Sequence, residues 1–590
     1  MVRRLVATVR LLFPGIIVVV VFIFAFDVTS PAAAAFKPNL ILITLDSARA
    51  DHMGFLGAKR ALTPNLDRLA AESIAFEHAY AQAPGTVVSA ATILAGAYPQ
   101  STAMSEIGGT LPSSLPFLPD LLKAQGYRTA AFVGSIALDP RNGLAQGFER
   151  GFQTYDAGFR PVIPGDLRPP VTERSASEVA ARAIAWLGHN AQGQNAQSPF
   201  FLWVDINSPS TGLASYNASI TAADTAVGKL VDALKQQKID ASTAVIVAAD
   251  HGQSLGAHGE ETHGIFLYDE TIHVPLLIKL PVAQPSARKV TTKVRLVDIA
   301  PTLLEIAAIP VPSQMQGQSL LRIARSTSGG SSGDQPVYSR SDLSQRGFGW
   351  SPLESWRAGK YLYIRAPKPE LYDMTADPGA NHNLAQSSKA TLDTMASQLE
   401  NFDRHFGGGG KSTTELSSSE MQKLASLGYV GLQKSAGTSA SVAGTDPKDK
   451  IAIANKVIEA AGPSLFGPSR FAESKPDRAI AALQPLVAAD SNLYLAEYTL
   501  GVALAEKARY AEAATHLHKA IELQPDSGWA HYEMGATLLK TGDFKTAAVH
   551  LEIAAGRLPG FAPAHAALAE AYGKLGRTDD AKRERKGGQR

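Results

Sequence analysis

A layered α/β domain on a mostly parallel sheet, with a small antiparallel subdomain behind it and an all-α solenoid at the end, is the predicted fold class. Three observations carry it. Runs such as LILITLD at 40–46 and AVIVAADH at 244–251 are short, rich in Leu, Ile and Val, and unbroken by polar alternation, as in strands buried on both faces. Such runs alternate with helical patterns, the order that builds a parallel sheet with covering helices. The carboxyl-terminal section repeats itself in steps of 34 residues.

Taken in order, 40–46 is the first strand and 64–72 a helix, with Asn65 as candidate cap and Leu66, Leu69 and Ala70 at core-facing spacing. Pro84 and Gly85 make a turn, and 89–94 begins a short helix. Thr86 then stands at a helix amino terminus, where backbone N–H groups favour an anion. Residues 114–126, 174–189, 220–237 and 297–309 read as helices; 129–134, 201–206, 244–250 and 274–280 read as strands. From about residue 336 the pattern changes to shorter, more exposed strands at 337–339, 359–365 and 371–373, then a helix at 391–406.

The section at 407–449, rich in Ser, Thr, Gly and Ala, reads as a linker, interrupted by a short apolar helix around 421–432. Beyond it, Leu500 and Gly501 recur as Met534 and Gly535 and again as Leu568 and Ala569. Ala513, Leu517, Ala520 and Pro525 recur as Ala547, Leu551, Ala554 and Pro559. Small residues at fixed offsets let paired helices pack closely, and the proline stops the second helix. The domain reading is therefore 1–35 leader or anchor, 36–406 α/β domain, 407–449 linker and 450–590 solenoid.

At 590 residues and 45% apolar, the chain is globular and too long for one ordinary domain. A net charge of +2 with no basic stripe argues against nucleic acid as partner. The absence of cysteine excludes disulfides, thiolate zinc sites and thiol nucleophiles. The start has Arg3, Arg4 and Arg10, an apolar run at 11–26 and small residues at 31–36, the pattern of a cleaved export signal. Roughly 16 residues at about 1.5 Å each reach about 24 Å, short of the ~30 Å hydrocarbon core. Export to the periplasm or another extracytoplasmic space is expected, and an uncleaved membrane anchor is the alternative.

Ligand sites of parallel sheets lie beyond the carboxyl ends of the strands. That puts Asp46 and Asp250, with His251 beside it, in one crevice. Two close carboxylates push one pKa upward unless a cation compensates. Hard oxygens with an imidazole suit one divalent ion among Ca, Mn, Mg and Zn.

At these residues the sequence resembles the sulfatase branch of the alkaline-phosphatase superfamily. The resemblance is carried by PNLILITLDSARADHMG at 38–54, TPNLDRL at 63–69, residues 79–99, ADHGQSLGAHGEETHG at 249–264, FLYDETIHVP at 266–275, VDIAPTLLE at 297–305 and ELYDMTADPGANHNL at 370–384. The terminal repeats resemble the tetratricopeptide repeat. The resemblance implies metal-ligand roles for Asp46, Asp250 and His251. It puts Thr86 at the nucleophile, in contact with the ion; this position is formylglycine in true sulfatases and threonine in phospho-transferring relatives. His263 falls on a substrate-contacting position. The substrate implied is an anionic ester, and the repeats imply a protein partner.

Departures from the family pattern bear on activity. Thr86-Val87-Val88-Ser89-Ala90 lacks the basic or imidazole group that follows the serine in relatives. Thr102 and Ala103 stand where a His-Gly is usual. Ser135, Ile136 and Ala137 stand where Lys and His are usual. Ser208-Pro209-Ser210 replaces Asp-Pro-His, and Ser47 replaces a second aspartate. The leading expectation is an exported metal-dependent hydrolase cleaving a sulfate or phosphate ester. The alternatives are a degenerate sulfatase-like scaffold whose repeats bind a protein, and a transferase that moves a phospho-headgroup.

Overall fold

In the computed structural model the described residues are 5–13, 16–24, 37–159, 174–190, 198–207, 212–281, 288–325, 334–406, 417–427, 429, 444–462 and 476–587. The first 37 residues form a unit of their own, containing an antiparallel hairpin of β1 (Leu5–Phe13) and β2 (Ile16–Phe24). The expected cleavage stretch at 31–36 lies outside the described residues, as do Ser208-Pro209-Ser210 and most of the expected linker. Among the described residues, no helix is long and apolar enough to cross a membrane.

From Pro38 onward a large sheet organises the chain. Its strands are β3 (Asn39–Leu45), β4 (Ile74–Tyr80), β5 (Arg128–Val133), β6 (Thr154–Asp156), β7 (Phe200–Ile206), β8 (Thr243–Ala249), β9 (His273–Lys279), β10 (Arg288–Val290) and β11 (Val294–Arg295). Their order is β10-β4-β9-β8-β3-β7-β5-β6, with β11 also on β4. Only β9 runs against the rest. In β7 and β8 every residue is buried, and in β3 every residue but Asn39, because helices cover both faces of the sheet. These include α1 (Pro64–Ala70), α2 (Thr86–Ala95), Ala176–Asn190, Leu213–Gln236 and Ile299–Ile306. The cap of α1 is Thr63, with Pro64 in the first turn; Asn65 instead bonds Asp224 through its side chain at 2.8 Å.

The antiparallel subdomain has four strands, β12 (Val337–Ser341), β13 (Leu353–Ala358), β14 (Tyr361–Arg365) and β15 (Glu370–Asp373), in sequential order. The helix Lys389–Phe406 packs on it through Met395, Leu399 and Phe402. The expected short helix of the linker is Ser418–Ser426, held by Leu424 and by Lys423–Glu552 and Glu420–Arg557 ion pairs to the solenoid.

The solenoid runs in helix pairs from Pro476–Ala489 to Thr578–Gly587. The repeated small residues are close-approach points. A Cβ added to Gly501 would stand 2.7 Å from Leu517, and one added to Gly535 would stand 2.5 Å from Leu551, the same contact one repeat later. Residues 38–590 pack as one unit. The solenoid is docked by Leu495 against Gly347, by Leu558 against Gly143, and by side-chain hydrogen bonds that Gln524 Nε2 donates to the Arg346 carbonyl and Gln146 Nε2 to the Arg557 carbonyl.

Candidate metal and ester site

The register of the sheet assembles the site. Strands β3 and β8 are parallel neighbours with Leu45 opposite Ala249, so the next residue of each, Asp46 and Asp250, emerges side by side at the carboxyl edge. The backbone fixes both: Asp46 N–H donates to Ile206 O at 3.0 Å, and Asp250 N–H to Leu45 O at 3.2 Å. Strand β4 points the same way, because it is antiparallel to β9 and β9 to β8. Its exit at Tyr80 delivers 81–85 to this edge, and Thr86 opens α2 there.

Ligand atoms of Asp46, Asp250 and His251 lie within 4.8 Å of one another, and all three residues are buried. His251 Nε2 is 3.5 Å from Asp46 Oδ1, 3.7 Å from Asp250 Oδ2 and 3.2 Å from Thr86 Oγ1. His251 Nδ1–H donates to the Gly252 carbonyl at 2.8 Å, which leaves the Nε2 lone pair facing both carboxylates. Asp250 Oδ1 accepts from the N–H groups of Ser47 at 3.2 Å and His251 at 2.8 Å; its Oδ2 is buried without a partner. The Ser47 hydroxyl donates to Asp46 Oδ1 at 2.6 Å, so the residue that replaces a family aspartate orients the first ligand. Neither Asp46 nor Asp250 pairs with Lys or Arg among the described residues.

The electrostatics fit the same reading. Burial, then Asp46 and Asp205, hold the Asp250 carboxyl well above its ordinary range, and burial pulls His251 down. Two acids and a lone pair that converge on an orphaned oxygen fit a divalent ion, with Asp46, Asp250, His251 and the Thr86 hydroxyl as its holders. The Nε2 lone pair serves one partner at a time, so its contact with Thr86 and ligation of an ion are alternatives.

His263 lies against this group, its ring 4.4 Å from that of His251. Its Nδ1 bonds Gln253 Oε1 at 2.6 Å. Burial and the neighbouring His251 hold it well below the ordinary histidine range, which favours the neutral ring.

Two acids beside the site were not singled out in the sequence. Asp205, the residue before the last of β7, lies beside β3 and accepts from Thr44 Oγ1 at 2.9 Å and from the Gly134 and Ser135 N–H groups at 3.2 and 3.1 Å. Burial, then Asp46, push it up to about 7. The strand FLWVDI carried the signal, an acid one residue before the end of an apolar run. Glu106 comes from a loop and accepts from Val88 N–H at 3.1 Å, at the amino terminus of α2. No local pattern announces it.

A mostly parallel sheet with acids and an imidazole gathered at its carboxyl edge defines an α/β domain of the alkaline-phosphatase type. Residues 38–309 match the family model described as Sulfatase, 260–404 the model described as N-sulphoglucosamine sulphohydrolase, C-terminal, and 501–542 a TPR repeat. Together the two sulfatase models span 38–404, so this part of the chain carries sulfatase-family domains, with a TPR repeat behind them. It is 26% identical over 412 residues to the ulvan-active sulfatase of Formosa agariphila, covering 62% of this chain and 80% of that protein. Among solved structures it resembles a 2-O GAG sulfatase, with a TM-score of 0.52, 21% identity and coverage of 63% and 93%. It also resembles the phosphonate monoester hydrolase of Agrobacterium radiobacter, with a TM-score of 0.50, 20% identity and coverage of 63% and 96%.

Proposed function

We propose that this protein is an exported metal-dependent hydrolase cleaving a sulfate or phosphate ester, with Thr86 as nucleophile. One observation carries the reading: the Thr86 hydroxyl stands 3.2 Å from His251 Nε2, the same nitrogen that faces the Asp46 and Asp250 carboxylates. When bound, the ion supplies positive charge that lowers the pKa of a hydroxyl and offsets the charge of the ester. Thr86 Oγ1 attacks sulfur or phosphorus, the bond to the alcohol oxygen breaks, and water then releases the group from the threonine. Asp46, Asp250 and His251 hold the ion, and the first turn of α2 fixes the direction of attack.

The leaving oxygen finds little help. His263 gives its Nδ1 to Gln253, so its Nε2 carries a lone pair and no proton. General acid assistance is typically worth about 10²- to 10⁴-fold. Esters of acidic alcohols, such as p-nitrophenyl esters, are therefore the better substrates.

The test is elemental analysis of the purified protein with hydrolysis of p-nitrophenyl sulfate, phosphate and phenylphosphonate esters. Activity that vanishes in Thr86→Ala supports the reading; a metal-loaded protein inert to all three refutes it. Two further assays, partner capture and label transfer, separate the alternatives. A scaffold captures its protein partner through the repeats unaffected by Thr86→Ala, and a transferase passes label from a phospholipid to an acceptor. Export is tested by amino-terminal sequencing of mature protein from periplasmic and membrane fractions.

A further inference from the structure

Resting on the ester-hydrolase reading, we infer that Glu106 is a specificity residue that restricts this site to esters bearing one negative charge. The start of α2, beside the nucleophile, is where the sequence promises a seat for an anion. The protein seats its own carboxylate there. Glu106 Oε1 accepts from Val88 N–H at 3.1 Å. The carboxyl lies so close to Gly85 that a Cβ on that residue would collide with it, so glycine at 85 makes room for the acid.

Glu106 borders a cavity of about 60 Å³ together with Val88, Arg340, Asp342 and Arg346. Both guanidiniums already have acids of their own: Arg340 pairs with Glu354 at 3.4 Å, an acid it shares with Arg365, and Arg346 pairs with Asp526 at 3.6 Å. Among the described residues, Asp46 and Asp250 have no cationic side chain against them, so one divalent ion is left to offset both acids and the ester. Sulfate monoesters, phosphodiesters and phosphonate monoesters carry one charge at neutral pH, whereas a phosphate monoester carries two. The second charge, held near Glu106, costs at least about tenfold in binding at an effective protein dielectric.

The experiment compares metal-loaded wild type with Glu106→Gln, which keeps the acceptor for Val88 N–H, and with the smaller Glu106→Ser. Substrates are p-nitrophenyl sulfate, the p-nitrophenyl ester of phenylphosphonate, and p-nitrophenyl phosphate. Measurements are made at about pH 8.5, where a carboxyl pushed up to about 7 is ionised. Wild type is expected to favour the monoanions by at least about tenfold in kcat/KM, and both variants to recover about tenfold on p-nitrophenyl phosphate alone. Equal use of all three esters by wild type, or an unchanged order in both variants, overturns the inference. Calorimetry with inorganic phosphate reads the same effect without turnover, and Glu106→Gln should bind at least about tenfold tighter. Unchanged phosphate affinity overturns the inference even where every ester is inert, whereas inert esters with a gain in phosphate affinity overturn only the hydrolase reading.

Discussion

Replacing Asp250 by asparagine should make the metal-free protein more stable and abolish its stabilisation by metal. In the chelated protein Asp250 Oδ1 is satisfied by two N–H groups, and the asparagine carbonyl would keep both. The buried Oδ2 has no partner and faces the lone pair of His251 Nε2 at 3.7 Å. An amide N–H₂ in its place no longer sets a second acceptor against that lone pair, which the Thr86 hydroxyl already occupies at 3.2 Å. Removing an unsatisfied buried acceptor is worth about 1–3 kcal/mol. With metal the sign reverses. Wild type at a hundredfold excess over Kd gains about 2.7 kcal/mol, and the variant, short of one anionic ligand, gains little. Thermal melts of both proteins, in chelator and in excess metal, read all four states. A variant that melts below wild type in chelator, or responds to metal as wild type does, would refute the reasoning.

Three further outcomes follow from the geometry. Burial pushes Asp205 and Glu260 up to about 7, so in chelator their contributions to stability are fully present below their unfolded values near 4 and are lost as pH rises through 7. Urea melts should show greater stability at about pH 5 than at about pH 8. Gly535→Leu forces a side chain into Leu551 and should cost about 1–3 kcal/mol, seen as earlier loss of the helical circular dichroism signal. Ser47→Ala removes the 2.6 Å bond that orients Asp46 and should weaken metal binding about tenfold or more by calorimetry, without unfolding the protein.

The sheet and three of the site residues were legible because LILITLD and AVIVAADH are central strands, with burial on both faces and an acid at the end of each run. Strand β4, IAFEHAY, was not legible: Glu77 and His78 interrupt its apolar run, and it pairs irregularly with β9. Strands β6, β10 and β11 have two or three residues, too few for a periodicity. The solenoid declared itself through repetition, since Gly501 and Gly535 meet equivalent leucines. Glu106 stayed hidden because its partners, Gly85 and Val88, are reached only when a loop folds back on a helix about twenty residues earlier. The pairing of Ser47 with both Asp46 and Asp250 likewise depends on a backbone turn, with Ser47 at φ 60°, that its sequence does not announce.

The way the solenoid is seated has a consequence for how the two halves can be exchanged. Leu495 and Leu558 nestle where Gly347 and Gly143 leave no side chain in the way. Gly143 also has φ 82°, so a larger residue there would meet backbone resistance as well as Leu558. Trimming the helices away would uncover carved hollows beside Gly143 and beside Gly347 of the helix Leu343–Phe348, and grafting on a foreign repeat array would require those hollows to be recut. The pair is built to be inherited together.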